Sequence, residues 1–248
     1  TSWDRQNPDE TLGPSSIKKL LGEFAFRPTG GAGIEIENSI NAEVYENHSY
    51  ENTGGVLVFD LPDLVQIRGD NIHVFQNLIE NNNLNNFAPP GNIVGKVLPG
   101  TGVMILAANN VHIYENTIRN NKSVGTGIVS YFITEEPMTD KTYNPYTSDI
   151  HVYNNNYDRN VGLPTLNYEI GKLMAIKYGR TTPDIIYDGM QDPDVHSGLC
   201  LQNNIQADFT NLDIENNFEK WYSPFISNFS EDKTIYKCLT NHKISTNS

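Results

Sequence analysis

One twelve-residue frame is written four times. It reads NAEVYENHSYEN from Asn41, NIHVFQNLIENN from Asn71, NVHIYENTIRNN from Asn110 and DIHVYNNNYDRN from Asp149. The copies align without gaps. Two residues after the first slot stand Glu43, His73, His112 and His151, and two further on stand Tyr45, Phe75, Tyr114 and Tyr153. Asn47, Asn77, Asn116 and Asn155 form the next matched column. Asn52, Asn82, Asn121 and Asn160 form a second, five residues later. Between the outward slots run Ala42/Val44, Ile72/Val74, Val111/Ile113 and Ile150/Val152. This period-two alternation is the pattern of a strand with one buried face.

A further strand belongs to each circuit: GIEIEN from Gly33, GVLVFD from Gly55, GVMILA from Gly102 and a related GIVSYF from Gly127. Gly33 and Gly55 lie 22 residues apart, which suits one turn of a three-sided, all-β parallel β-helix. Later circuits are longer, with the surplus between strands, where loops bulge outward. Equivalent residues of successive turns would lie about 4.7–4.9 Å apart. At that spacing an inward corner Asn can bond the Asn above and below, and Asn tolerates the left-handed backbone that corners need. Propeller blades would require longer repeats and antiparallel hairpins, which these loops do not supply.

Three regions follow. Residues 1–30 stand outside the frame: in SSIKKLLGEFAF, Ile17, Leu20, Leu21 and Phe24 share a helical face behind a Ser16 cap. Such an amphipathic piece could cover the open end of a solenoid. Residues 31–162 carry the coils, and 163–248 read as a C-terminal cap or wrap of irregular strands. Cys200 and Cys238 fall in that wrap. An even cysteine pair in an Asn- and Tyr-rich chain leans towards an exported protein with one disulfide, the alternative being two reduced buried thiols.

Seventeen Lys and Arg against 30 Asp and Glu give a formal net charge of −13, which repels a phosphate backbone and excludes nucleic acid as a partner. Cations, neutral glycans and basic proteins are accommodated more easily. No apolar run reaches the roughly 18 residues of a membrane span. The chain opens TSWDRQ, without a signal-peptide pattern or a lipidated cysteine. A processed or a cytosolic protein fits that start, and a lipid anchor would need a start further upstream.

Residues 31–240 resemble the bacterial parallel β-helix repeat-containing proteins, with repeats like those of the NosD and mannuronan epimerase groups. The likeness rests on GIEIENSINAEVYEN, GGVLVFDLPDL, NFAPPGNIVGKVLPGTGVMILA and GIVSYFIT. It continues in YNPY, PDIIYDGMQDP, LCLQNN, ADFTNLDIENNF and the closing Cys238. The resemblance implies a right-handed helix, an exported and often lipid-anchored protein of the periplasm or bacterial cell surface, and a Cys200–Cys238 bridge. It implies no activity. Members tend to be encoded beside an exported haem- or cytochrome-like protein, which implies a protein partner. Family members usually carry more N-terminal coils, and residues 1–30 do not look like them.

Chemistry has two candidate locations. His73, His112 and His151, with Phe75, Tyr114 and Tyr153 beside them, would form two outward columns on one face. Such rows offer a ring-faced surface for a sugar, or they pack beneath a long loop. A zinc site is disfavoured, because zinc needs three or four converging ligands and these side chains lie in a row. The second location is PDIIYDGMQDPDVHSG, where Asp184, Asp188, Asp192 and Asp194, with His196, could hold a structural Ca²⁺. A solvated acidic loop is the alternative. Gln191-Asp192-Pro193-Asp194 lacks the His after Pro of the epimerase signature, so no catalytic residue is assigned. Three functions remain: a non-catalytic scaffold that binds a partner protein or cell-envelope glycan, a uronate epimerase or lyase, and an accessory factor of a haem or metal protein.

Overall fold

The computed structural model describes residues 31–88, 91–158, 162–194, 198–217 and 229–238. The first circuit runs through β1 (Ala32–Glu37), β2 (Glu43–Tyr45) and β3 (His48–Tyr50). The second holds β4 (Gly54–Phe59), β5 (Ile72–Phe75) and β6 (Leu78–Glu80). The third holds β7 (Thr101–Leu106), β8 (Asn109–Tyr114) and β9 (Thr117–Arg119), and the fourth β10 (Val124–Val129), β11 (Ser148–Tyr153) and β12 (Asn156–Asp158). Strands β13 (Ile185–Tyr187), β14 (Leu199–Gln202) and β15 (Phe209–Asn211) follow.

Every strand pairing between these elements is parallel, and the chain visits three sheets in rotation. The six-stranded sheet is ordered β1-β4-β7-β10-β13-β15, the five-stranded sheet β14-β11-β8-β5-β2 and the four-stranded sheet β12-β9-β6-β3. The inward aliphatic residues of the repeated frame fill one core with Ile36, Val58, Ile105 and Ile128 of the six-stranded sheet. Beyond residue 162, β13, β14 and β15 extend two of the sheets. The 163–248 segment also contains a helix, α1 (Glu169–Tyr178), which the expectation of irregular strands did not include. It carries Glu169 in its first turn, Lys177 in its last, and stops at Gly179, where φ is 64°.

The asparagine columns are hydrogen-bonded ladders. Asn47, Asn77 and Asn116 donate from Nδ2 to Oδ1 of Asn77, Asn116 and Asn155 at 3.0, 2.9 and 3.0 Å. The same acceptors take the backbone N–H of the preceding rung, each at 3.0 Å. The second amide hydrogen turns back: Asn77, Asn116 and Asn155 reach the carbonyls of Val44, Val74 and Ile113. The ladder has a fifth rung that the repeat alignment missed, Asn204, which accepts from Asn155 Nδ2 at 3.0 Å. Asn52, Asn82 and Asn121 build the second ladder, and Asn160 lies outside the described residues.

The ladder residues are not themselves left-handed, contrary to the expectation for corner asparagines. The strained position is the residue before each rung: Glu46, Gln76, Glu115 and Asn154 have φ of 57°, 53°, 54° and 55°. Glu51, Asn81 and Asn120 do the same for the second ladder. A left-handed Glu or Gln costs roughly 1–2 kcal/mol. That turn swings the next side chain inward, where its amide satisfies backbone groups that the corner would otherwise strand.

The N-terminal rungs differ from the interior ones. Asn47 Oδ1 and Asn52 Oδ1 are buried, and neither has a partner among the described residues. Replacing Asn116 by Ala removes the acceptor of the buried Asn77 N–H and one of the three acceptors of Asn77 Nδ2, which keeps the Val44 and Phe75 carbonyls. The expected loss in urea unfolding is about 2–3 kcal/mol, one stranded buried N–H together with the lost amide bonds. Asn47→Ala leaves no donor stranded and should cost only about 1 kcal/mol. Equal losses for the two variants would contradict the ladder directionality.

Cys200 and Cys238 form a disulfide across 38 residues with Cα atoms 4.7 Å apart. In the chain-entropy model, Cys238→Ser should lower stability by roughly 3–4 kcal/mol in the same assay.

Candidate functional site

The register of β2, β5, β8, β11 and β14 sets the outward rows. Glu43, His73, His112, His151 and Cys200 are consecutive partners, as are Tyr45, Phe75, Tyr114, Tyr153 and Gln202. Cys200 therefore occupies the histidine slot of a fifth frame and ends the imidazole row in its disulfide. Ring centroids lie 4.7 Å apart for His73–His112 and 4.5 Å for His112–His151, with planes within 3°. The aromatic row repeats at 4.8, 4.9 and 5.0 Å. Between rows the rings meet edge-on, His73 against Tyr114 at 89° and His112 against Tyr153 at 88°.

This geometry corrects the expected ring-faced surface. The rings use their faces on each other along both rows, in the offset stacking that their quadrupoles favour. The sheet therefore offers ring edges and tyrosine hydroxyls. All six ring side chains from His73 to Tyr153 are half-buried.

Each imidazole is oriented from the first slot of its own frame. His73, His112 and His151 place Nε2 at 3.0, 3.2 and 2.8 Å from Oδ1 of Asn71, Asn110 and Asp149. These partners are left-handed, with φ of 58°, 51° and 53°, which aims their side chains back along the strand. Burial pushes the His73 imidazole below its usual range, and Glu43 raises it only in part. The face is acidic at its margins, where Glu43, Glu46, Glu115 and Asp149 sit and no Lys or Arg occupies these columns. On the adjoining four-stranded sheet Arg119 is engaged by Glu80 at 2.7 Å, which also bonds His48.

The second group of perturbed side chains lies where the loop after β4 crosses to β8 and β11. Burial raises Asp60 to about 7, although the Gly69 N–H and Arg68 pull it down. Its Oδ2 accepts from Gly69 N at 2.9 Å, and Tyr143 donates its hydroxyl to the Asp60 carbonyl at 2.7 Å. Arg68 donates to Ser148 Oγ at 2.5 Å, and Ser148 passes a hydrogen bond to Asn109. A Cβ on Gly69 would lie 2.7 Å from Asp60 Oδ1, so backbone seals this carboxyl. Asp60 is 2 % exposed, which leaves a general base here no substrate to touch.

The four aspartates expected to hold calcium do not converge. Asp184 and Asp188 flank β13 and are buried. Asp188 accepts the N–H groups of Ser130 and Met190 at 2.6 and 3.0 Å, and Asp184 accepts that of Asp208 at 3.1 Å. Asp192 accepts from Asn144 and from the Asp194 N–H. Asp184 and Asp188 thus serve to close backbone, and Asp192 ties Asn144 to the Asp194 N–H. Among the described residues no three His, Cys, Asp or Glu side chains are placed to share a metal ion, and His196 lies outside them.

Sequence reading missed a cavity of about 330 Å³ on the outer side of the six-stranded sheet. Ile170, Gly171 and Met174 of α1 roof it, and Met104, Gly127 and Ile186 form part of its floor. Its signal was available in the Ile170, Leu173, Met174 spacing of an amphipathic helix. No family model, curated protein or solved structure matches the chain.

The pH dependence of stability follows from the sealed carboxyls. Burial raises Asp60 to about 7 and Asp188 to about 6, so the folded state holds protons that the unfolded chain has released. Their contribution therefore declines as pH rises from about 4 to about 7. His73 acts in the opposite sense, losing stability as pH falls below its ordinary 6.5. Asp60→Asn should be less destabilised than the parent on going from about pH 5 to about pH 8. Superimposable urea midpoints across that range would contradict the assignment.

Proposed function

We propose that this chain is a non-catalytic binding scaffold, whose three sheets close as a right-handed parallel β-helix and whose five-stranded face docks a partner protein. One observation carries the reading: two continuous rows of half-buried rings, edges outward, with the imidazoles oriented by Asn71, Asn110 and Asp149 and the face bordered by carboxylates. A regular, hydrogen-bonding and aromatic surface of this kind suits a flat protein contact. Its acidic margin favours a basic patch on the partner and disfavours uronate glycans.

The disulfide favours an exported location, and the family resemblance implies a haem- or cytochrome-like partner outside the cell. A neutral cell-envelope glycan is the weaker ligand, because sugars stack on ring faces and these faces are already occupied. The enzyme reading loses its support where Asp60, the carboxyl most clearly raised, is sealed by Gly69.

The test uses surface plasmon resonance of a basic, cytochrome-type protein, with neutral and uronate polysaccharides in parallel. The triple change His73→Ser, His112→Ser and His151→Ser should weaken protein binding at least about tenfold while the fold persists. Adding salt should weaken the parent complex, mainly through its association rate. Turnover of any uronate polysaccharide, or protein binding indifferent to the triple change, would refute the proposal.

A further inference from the structure

The glycines of the six-stranded sheet are of two kinds. At Gly102 an added Cβ would lie 2.5 Å from the Gly125 carbonyl, 2.9 Å from Ile118 and 2.9 Å from the Asn121 amide. Nothing larger fits there. Gly127 was expected to be its equivalent as a strand-opening residue, but the register pairs Thr101 with Val124 and Met104 with Gly127. Gly127 thus sits in mid-strand, in an outward row that reads Glu35, Leu57, Met104, Gly127, Ile186 and Thr210. A Cβ at Gly127 would meet nothing closer than Val124 at 3.9 Å, and its φ is not in the left-handed region.

Neither backbone nor packing requires this glycine, and glycine inside a strand costs stability. What it does is leave a gap in a row otherwise filled by Leu57, Met104 and Ile186. That gap is part of the floor of the cavity under α1. A largely apolar space of this size lies in the range of small-molecule sites.

The polar residues around it narrow the class of ligand. Thr101 and Ser123 direct their hydroxyls to the carbonyls of Leu98 and Pro99, so they do not call for a partner. Lys96 Nζ is held by the Thr134 carbonyl at 3.0 Å and by Glu136 at 2.9 Å. Glu135 and Glu169, both exposed, are the other charged residues among those that line the cavity. With Lys96 engaged, the remaining charge is negative.

We propose that the cavity between α1 and the six-stranded sheet binds a small single-chain or aromatic amphiphile whose polar end is neutral or cationic. The apolar body lies over Gly127, between Met104 and Met174, and the polar end faces Glu135 and Glu169. An anionic end of the same length is disfavoured by those carboxylates. This site lies on a different sheet from the ring rows and does not depend on the docking proposal.

The experiment titrates the purified protein with the neutral fluorophore phenylnaphthylamine and displaces it with decanol, decyltrimethylammonium or decanoate. Saturable binding is expected, with decanoate competing at least about tenfold more weakly than the other two. Gly127→Leu should fill the space, weaken probe binding at least about tenfold and melt no lower than the parent. Gly127→Ala, which adds only the Cβ, should fold normally and bind a few-fold more weakly. Absence of saturable binding, or unaltered binding in Gly127→Leu, would overturn the proposal. A markedly lower melting temperature for both variants would also overturn it, since the space would then not be free. Equal competition by decanoate would overturn the assigned charge class.

Discussion

A primary amide sealed from water needs partners for both hydrogens and for its oxygen, and the rest of this structure is arranged around meeting that need. Asn77, Asn116 and Asn155 each hand one hydrogen forward to the next rung and one back to a strand carbonyl. The arrangement works only if successive circuits keep the same register. A slip of one residue would bury a Glu or Gln and expose an Asn, leaving several donors without acceptors. The left-handed residues before each rung are the conformational cost of this order.

Fixed register has a second consequence. Residues that share a slot are brought to stacking distance whether or not they have a function. Imidazoles fall on imidazoles and phenols on phenols, and Asn71, Asn110 and Asp149 lock the histidines in place. The outcome is a rigid, edge-presenting surface. The loops that bulge between strands instead house the buried polar anchors, Asp60 with Gly69 and Asp188 with Ser130, which hold the insertions against the sheets. The apolar cavity forms where α1 spans a row interrupted by glycine.

The repeated frame was legible because each column is a local rule with period two and fixed offsets. The inward aliphatic residues and the ladder asparagines through Asn155 could be read from it directly. Asn204 escaped because its frame, GLCLQNN, has Gly and Cys where the others carry Asn and His, and only Leu199, Leu201 and Asn204 keep the pattern. The ring rows were legible as positions but not as orientations, because stacking of rings upon rings depends on side-chain tilt. The four aspartates looked like a ligand set from their spacing alone. Backbone N–H groups from distant parts of the chain, at Ser130 and Asp208, take up the oxygens of two of them. The Gly127 register was hidden by the GTG run, where either glycine could have opened the strand.

The most direct measurement is hydrogen exchange of the asparagine side-chain amides, followed by NMR in the native protein. The amides of Asn77, Asn116 and Asn155 should exchange as slowly as the backbone N–H groups of β8 and β11. Those of Asn154, which is exposed, should exchange at once. Fast exchange at Asn116 and Asn155, while the neighbouring backbone stays protected, would show that the amide ladders do not hold the circuits in register.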